Sequence, residues 1–214
     1  RVTLSAYAIG TTVVTEEQWA RVMNQPAPSQ PGRPKVDVSW LDALRFCNAA
    51  SKLAGLRPCY QERGQTWSWD RGADGYRLPT EAEWECAARA GTETRWSTGD
   101  DERELAAAAW YGEERRPDGR HPVAQKAANP WGLYDMHGNV WEWCWDAYAA
   151  RSYANAAQRD PVTNVADDIN RRVVRGGAFN GTAARIRSAV RNRNDPRSES
   201  SILGFRSVRS SLPQ

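Results

Sequence analysis

One stretch of the chain decides the fold: Asn129-Pro-Trp-Gly-Leu-Tyr-Asp-Met-His-Gly-Asn-Val-Trp-Glu-Trp143. It combines turn-forming residues with three tryptophans, and the whole chain of 214 residues has 11 tryptophans. Helical bundles rarely need so many large rigid rings, whereas a loop-rich fold can be held together by them when each indole N–H finds a hydrogen-bond partner. We therefore predict a core built around tryptophan rings. Its predicted members are Trp84, Trp131, Trp141 and Trp143.

The length and charge of the chain limit what it can be. A chain of 214 residues suits one domain, residues 1–214, and can bury a sizeable core without disulfides. The formal net charge of +3 is too balanced to predict a nucleic-acid or membrane surface. No stretch is apolar for long enough to span a membrane, and we expect a monomer. The sequence leaves open whether the protein is cytoplasmic or is displayed at a surface as part of a longer protein.

The four cysteines, Cys47, Cys59, Cys86 and Cys144, have no Cys-x-x-Cys spacing. Their even number would permit two disulfides, but a chain of this length does not need them. We favour the interpretation that they are small buried apolar side chains in a reducing compartment.

Local patterns predict short helices and strands that are separated by long loops. Thr15 with Gln18, and Thr80 with Glu83, have the spacing of capping boxes at helix starts, and Ser39 is the N-cap of a further helix. Together these patterns predict an α+β domain. The predicted elements are helices over residues 16–23, 39–55 and 80–89, a hairpin over residues 59–69, and strands at Arg172–Arg175 and residues 204–208.

Four stretches occur in the order and spacing of one family: residues 9–19, 75–85 and 129–143, and Arg175-Gly-Gly with Leu203-Gly-Phe-Arg. Through them the chain resembles the formylglycine-generating enzymes, or sulfatase-modifying factors, over residues 7–208. The resemblance implies a C-type-lectin-like fold of the formylglycine-generating-enzyme type, with short helices and strands and long ordered loops. Within it, we expect Arg77 and Glu81 to hold a helix start through charge-assisted bonds.

In the enzymes that the chain resembles, the segment 135–142 helps to bind calcium. Carried over to this chain, the resemblance implies carboxylate ligands from Asp135 and Glu142 and backbone oxygens from Gly138 and Val140. Hard oxygen ligands on one loop suit this ion, although two carboxylates are few for it. The alternative is a metal-free turn in which the same groups bind backbone N–H groups and arginine. We expect no required cofactor, with structural calcium as the alternative.

The chemistry of the resembling enzymes needs two cysteines that bind copper, and this chain lacks them. In the enzymes they follow Arg-Gly-Gly and are separated by four residues, and the matching positions here are Gly181 and Ile186. Neither side chain can be a thiolate ligand or a nucleophile. A second branch of the family uses iron held by histidines of an additional helical domain, but the two histidines here, His121 and His137, lie in separate motifs. We therefore predict that the chain is not an enzyme.

The segment 175–206 resembles the variable region of proteins that are diversified by bacterial retroelements. In those systems an error-prone reverse transcriptase rewrites adenines near the 3′ end of the gene, mostly in AAC codons for Asn. Rewriting the first two bases of AAC gives Asn, Ser, Thr, Ile, Gly, Asp, Ala, Val, Arg, Phe and several others, but never a stop. Because AAC reaches so many residue types, an ordinary surface loop is the alternative. The fourteen positions that fit are Phe179, Asn180, Gly181, Thr182, Ala184, Ile186, Val190, Asn192, Asn194, Arg197, Ser198, Ser200, Ser201 and Ile202.

The candidate variable positions mix apolar and hydrogen-bonding side chains, as an antibody paratope does. We interpret the chain as a non-catalytic, receptor-type domain that binds a protein or another macromolecule through one exposed face, built by residues 179–186 and 190–202. Two alternatives remain open: a metal-dependent oxidoreductase of the same superfamily, and an accessory regulatory domain of a signalling protein. The residues expected to form a fixed framework are Arg175, Gly176, Gly177, Arg187, Ser188, Arg191, Pro196, Leu203, Gly204, Phe205 and Arg206.

Overall fold

The fold joins short helices and strands through long loops. The computed structural model describes residues 2–64, 66–114, 118–152, 158–164 and 171–210. Within them the helices are α1 (Glu16–Val22), α2 (Trp40–Leu53), α3 (Glu81–Arg89) and α4 (Glu102–Leu105), and a 3-10 turn spans Ala183–Ile186. The strands are β1 (Val2–Thr3), β2 (Tyr7–Ile9), β3 (Tyr60–Arg63), β4 (Thr66–Trp69), β5 (Tyr76–Arg77), β6 (Trp141–Ala147), β7 (Gln158–Arg159), β8 (Arg172–Arg175), β9 (Asn192–Asn194), β10 (Leu203–Gly204) and β11 (Val208–Ser210).

A four-stranded sheet with the strand order β10-β6-β8-β9 forms the centre of the fold. β6 pairs antiparallel with β8 and parallel with β10, and β9 pairs antiparallel with the other side of β8. A three-stranded sheet has the order β2-β11-β5. The single strand predicted over residues 204–208 is wrong, because the chain leaves the central sheet after β10 and enters the second sheet at β11.

The first three helices begin where the sequence predicts, each with a capping box. In each, the N-cap hydroxyl accepts a hydrogen bond from the backbone N–H three residues on. The side chain at that later position accepts one from the N-cap N–H. These reciprocal bonds satisfy donors that a helix start would otherwise leave unpaired. The three pairs are Thr15–Gln18, Ser39–Asp42 and Thr80–Glu83.

Arg77 and Glu81 both make the charge-assisted bonds expected at the start of α3, but not with each other. Arg77 donates from Nη1 and Nη2 to the two carboxylate oxygens of Glu83, each at 2.7 Å. Glu81 accepts from Nε of Arg191 at 2.5 Å and from its Nη2 at 2.8 Å. Glu81 therefore ties the helix start to the predicted variable region.

The predicted tryptophan core is confirmed for Trp84 and Trp143, which are fully buried, while Trp141 is half-buried and packs against the same apolar cluster as Trp143. Trp131 contradicts the prediction, because it is 53% exposed. It lies in a turn in which the side chain of Asn129 accepts hydrogen bonds from the backbone N–H groups of Trp131 and Leu133. Leu133, and not Trp131, is the buried side chain of this turn.

The four cysteines are free thiols, and three of them, Cys47, Cys59 and Cys144, are buried. This arrangement agrees with their interpretation as small apolar side chains rather than as disulfide partners. Burial raises the pKa of Cys144 well above its ordinary value, so its thiolate form is disfavoured. In the part of the chain that the structure describes, no helix is long and apolar enough to cross a membrane.

Candidate functional site

The central sheet holds the predicted variable region at several points. The region begins at Arg175, where β8 ends, and β9 returns the chain alongside β8 with Asn192 opposite Val174 and Asn194 opposite Arg172. The chain then joins the sheet again at β10, which pairs with β6. The loops of the region are thereby anchored on three strands of one sheet, which is the arrangement that lets a loop vary on a fixed scaffold.

Twelve of the fourteen candidate variable positions are exposed or half-buried, whereas eight of the eleven framework residues are buried. The framework residues outside the core are Arg187, which is exposed, and Arg191 and Pro196, which are half-buried. The exposed candidates are Asn180, Thr182, Ala184, Asn192, Arg197 and Ser201, and the half-buried ones are Gly181, Val190, Asn194, Ser198, Ser200 and Ile202.

Phe179 and Ile186 are the exceptions, and their expected place on an exposed face is wrong. The ring of Phe179 lies against Gly119, where an added Cβ would come within 2.2 Å of the ring. Ile186 is fully buried in an apolar cluster with Trp96 and Leu105. The codon pattern could not separate these positions from exposed ones, because Phe and Ile are reachable from AAC and are also ordinary core residues.

Four of the candidate positions line one shallow hollow of about 120 Å³ at the outer strand of the sheet. Its apolar lining comes from Trp141, Val174 and Leu203, which belong to β6, β8 and β10. The sequence did not single out Val174 as part of a binding surface. Val174 could have been recognised from the alternation of side chains along β8, which places it on the same side of the sheet as Arg172. The candidates around the hollow are Asn192, Asn194, Ser200 and Ile202.

The second group of candidates lies on the loop around the 3-10 turn. Two backbone hydrogen bonds fix this loop: Gly112 N–H donates to the carbonyl oxygen of Gly181 at 2.8 Å, and Glu113 N–H donates to that of Phe179 at 2.9 Å. Bonds between backbone groups do not depend on the side chains, so the loop can keep its shape while its side chains change. The exposed members do not line the hollow, so the candidates form two groups. These members are Asn180, Thr182 and Ala184.

A network of arginines and glutamates holds the backbone of the predicted variable region. The fully buried Arg175 pairs with Glu85 and also donates to the carbonyl oxygen of Val190. Arg191 binds both carboxylate oxygens of Glu81, which is itself buried at the start of α3. Charge-assisted bonds of this forked kind have a defined geometry. They fix the chain at residues 190 and 191, immediately before the edge strand.

Glu142, one of the predicted calcium ligands, is paired with Arg206. Nε and Nη2 of Arg206 donate to the two carboxylate oxygens of Glu142, each at 2.7 Å, and both side chains are fully buried. Nε1 of Trp84 donates to Oε2 of the same carboxylate at 2.7 Å. The two N–H groups of Arg206 and the one of Trp84 already take three of the roughly four acceptor sites of this carboxylate.

Asp135, the other predicted carboxylate ligand, accepts a hydrogen bond from the backbone N–H of Ala124 at 2.9 Å. Burial raises its pKa, which disfavours the charged form that calcium needs. Gly138 and Val140, which were predicted to supply backbone oxygens, follow on the same turn. Within the described residues, no group of three or more His, Cys, Asp or Glu side chains could hold a metal ion. The residues present fit the metal-free turn better than a calcium site.

The two positions that match the copper-binding cysteines lie side by side. A Cβ added to Gly181 would lie 3.7 Å from Cγ2 of Ile186. Two cysteines at these positions would therefore be close neighbours, but glycine and isoleucine offer no ligand atom and no redox chemistry.

His137 lies close to these positions, and both of its ring nitrogens are occupied by the backbone. Nε2 accepts a hydrogen bond from the N–H of Ser97 at 3.1 Å, so Nδ1 carries the proton and donates to the carbonyl oxygen of Ile186 at 2.9 Å. Burial lowers the pKa of His137 to about 4. A neutral histidine that is held in this way positions the loop backbone and is not available as a general base or a metal ligand.

Known proteins are similar to nearly the whole chain. The family model described as "Sulfatase-modifying factor enzyme 1-like domain" matches residues 1–211. The formylglycine-generating enzyme of Thermomonospora curvata is 33% identical over 209 residues, which cover 83% of this chain and 55% of that one. The serine/threonine-protein kinase pkn1 of Chlamydia caviae is 35% identical over 203 residues, which cover 90% of this chain and 31% of the kinase. The chain spans between 31% and 64% of the length of the first curated relatives that it matches.

A solved structure, Treponema denticola variable protein 1, superposes on the chain with a TM-score of 0.87 and 35% sequence identity. The superposition covers 98% of this chain and 86% of the variable protein. Together with the family match, it confirms the predicted fold class, an α+β, C-type-lectin-like fold of the formylglycine-generating-enzyme type.

Proposed function

We propose that this chain, which belongs to the family of sulfatase-modifying factor enzyme 1-like domains, is a non-catalytic domain that binds a ligand through its variable region, residues 175–206. The proposal rests on the difference in burial between the framework residues and the candidate variable positions of this region. Its framework side chains are mostly buried, while twelve of the fourteen candidate positions are exposed or half-buried. A surface of this kind can change its side chains at little cost to folding, since exposed substitutions usually change stability by no more than about 0.5 kcal/mol.

The similarity to Treponema denticola variable protein 1 supports the proposal that the region is diversified. A retroelement that rewrites adenines would change Asn192 and Asn194 on the edge strand and Ser200 and Ile202 beside them, which surround one hollow. It would leave intact the backbone that Arg175 and Arg191 hold.

The composition of this surface favours a protein or another macromolecule as the ligand. Asn, Ser, Thr and Arg side chains supply hydrogen bonds, and Val190 and Ile202 add apolar area. The hollow of about 120 Å³ is smaller than the roughly 300–1,000 Å³ typical of small-molecule sites. A shallow hollow of this size suits one side chain of a larger partner.

The absence of catalysis is part of the proposal, and three residues support it. Gly181 and Ile186 replace the cysteines that the enzymes of this family use, and both nitrogens of His137 are engaged by the backbone. The loop that carries the chemistry in the enzymes is, in this chain, the loop that carries one group of candidate variable positions.

A display experiment tests the proposal. Asn180, Thr182, Asn192, Asn194 and Ser200 are randomised over the residue types that AAC reaches, and the library is selected against several unrelated proteins. The matched control library randomises five exposed residues of the β3–β4 hairpin, Gln61, Glu62, Arg63, Thr66 and Ser68. We expect binders with target-specific sequences from the first library only, with melting temperatures near that of the parent. Unfolding of most members of the first library, or equal recovery of binders from the control library, would contradict the proposal.

A second candidate, an accessory domain of a signalling protein, is favoured by the match to the kinase pkn1, of which the chain covers 31%. In that case the variable face would bind a partner of the signalling protein. Fusion of the chain to an active kinase domain separates the two roles, with a fusion to an inactive kinase as the background. A regulatory domain changes the rate of the active kinase, whereas a simple receptor domain does not.

A further inference from the structure

A pocket outside the variable region has the size and the walls of a small-ligand site. It has a volume of about 350 Å³. Trp67 and Trp69 of β4 form one side, and Trp145 of β6 and Arg172 of β8 also line it. Ser68, Arg71 and Asn164 also line it, so aromatic rings and polar side chains share its walls.

Arg172 is a cation without an ion-pair partner among the described residues. Its guanidinium lies 4.1 Å from the ring centroid of Trp40 and 5.4 Å from that of Trp145. Nη1 donates to the carbonyl oxygen of Trp145 at 2.9 Å, whereas Nε is buried without a hydrogen-bond partner. Burial lowers the pKa of Arg172 to about 10, which shows how unfavourable its surroundings are for an unpaired positive charge.

The nearby carboxylate of Asp146 raises the pKa of Arg172 through its charge but forms no direct ion pair with it. Its Oδ2 accepts from the backbone N–H of Glu81 at 2.8 Å, and its Oδ1 accepts from the N–H of Thr163 at 2.8 Å. Burial also raises the pKa of Asp146 to about 7, so near neutral pH much of this carboxyl group is uncharged. Within the described part of the chain, Arg172 therefore has no carboxylate in direct contact, which leaves room for an anion.

Trp145 also has an indole N–H that is buried without a hydrogen-bond partner. This N–H and Nε of Arg172 are both closed to solvent, so a ligand in the pocket does not reach them directly. The positive charge of Arg172, which lines the pocket, attracts an anion, and a carboxylate offers the matching negative charge together with acceptor lone pairs.

We propose that this pocket binds a small planar carboxylate, such as an aromatic acid. The carboxylate binds the guanidinium of Arg172, and the ring packs against Trp67 and Trp69. Arg172 and Asn194 are register partners on adjacent strands, so the pocket adjoins the hollow of the variable region. It is built from residues outside 175–206, and the inference does not depend on whether that region varies.

Titration of the full chain with benzoate tests the inference, with neutral benzamide as the matched ligand. The readouts are calorimetry and the NMR signal of the indole N–H of Trp67, which lines the pocket. We expect saturable binding of one benzoate, a shift of that signal, and at least about tenfold weaker binding of benzamide, because a hydrogen bond to a charged group is worth about 1.5–3 kcal/mol.

Variants locate the binding site. Arg172→Gln should weaken benzoate binding by at least about tenfold. Trp67→Ala, at a half-buried wall position, should also weaken it and keeps the test decisive if the first variant does not fold. Trp131→Ala removes an exposed tryptophan outside the pocket and should change nothing. No saturation at millimolar benzoate, equal binding of benzamide, or unchanged affinity in folded Arg172→Gln or Trp67→Ala would overturn the inference.

Discussion

Glu142 and Arg206 form an ion pair that is joined by two hydrogen bonds, each 2.7 Å long, and both side chains are fully buried. The pair joins β6 to the last residue of the predicted variable region. Nη1 of Arg206 also donates to the carbonyl oxygen of Gly10, and Nη2 to that of Tyr134, at 3.0 Å each. One arginine side chain therefore holds three separate parts of the chain at the end of the region.

Replacement of Arg206 by Met should destabilise the fold by about 3–5 kcal/mol, because it leaves the Glu142 carboxylate buried without its partner. Equilibrium unfolding in urea measures the loss. The matched control is Arg45→Met, which breaks an exposed pair with Glu62 and should cost less than about 1 kcal/mol. Equal losses in the two variants would show that the buried pair is not a structural anchor.

Chelators should leave the melting temperature unchanged. A ligand that binds only the folded state raises stability by mass action, but the Glu142 carboxylate is already occupied by Arg206 and Trp84. Thermal unfolding is compared in excess calcium and in excess chelator. A melting temperature that rises and saturates with calcium would restore Asp135 and Glu142 as ligands.

The purified chain should not convert the cysteine of a sulfatase peptide to formylglycine, with or without copper. Gly181 and Ile186 stand where the two reactive cysteines would be, and neither can form a thiolate. Mass spectrometry of the peptide provides the readout, with a formylglycine-generating enzyme as the positive control. Formylglycine above the level of a protein-free sample would show that the chain is an enzyme.

Ile186→Ala should destabilise the fold by about 2–5 kcal/mol, because it opens a cavity in the cluster around Trp96 and Leu105. Thr182→Ala, four residues earlier on the same loop and exposed, should change stability by no more than about 0.5 kcal/mol. Chemical denaturation compares the two. A small effect at position 186 would return Ile186 to the candidate variable set.

His137 should make stability depend on pH between about 4 and 6.5. Its pKa is lowered by burial to about 4 in the folded chain, against an ordinary value of about 6.5. As the pH falls through this window, the unfolded chain takes up the proton first, so the stabilisation that is complete above pH 6.5 is lost towards pH 4. The stability of the native chain relative to His137→Gln should fall by about 3 kcal/mol between pH 7 and pH 4. If the free energy of unfolding depended on pH in the same way in both proteins, His137 would not be the source of the pH dependence.

Local rules predicted the helix starts, because Thr15, Ser39 and Thr80 are N-caps whose partners lie three residues away. They failed where a tight turn decided which of two neighbouring side chains is buried. Trp131 appeared to be a core residue by type, but the turn at Asn129 directs Leu133 inward instead.

The sequence marks the candidate site as a segment, but it does not tell which of its residues are exposed. The framework motifs contain the first and last residues of the region, Arg175 and Arg206. Both side chains are fully buried, as expected of a fixed framework. Phe179 and Ile186 could not be assigned from their residue types, because their burial depends on Gly119 and Trp96, which lie at least sixty residues away along the chain. The pocket at Arg172 was missed for a similar reason, because its walls come from strands far apart in sequence.

Sequencing of the gene and its flanking DNA in independent isolates tests the central claim most directly. We expect a near-identical non-coding repeat of the segment that encodes residues 175–206, beside a reverse-transcriptase gene. Differences between repeat and gene should fall at adenines of the repeat, mostly in codons of the twelve exposed or half-buried candidates, while codons 179 and 186 keep apolar residues. The absence of a repeat, or differences spread evenly over the codons of buried framework residues such as Arg175 and Phe205, would contradict the proposal that this region is a diversified binding surface.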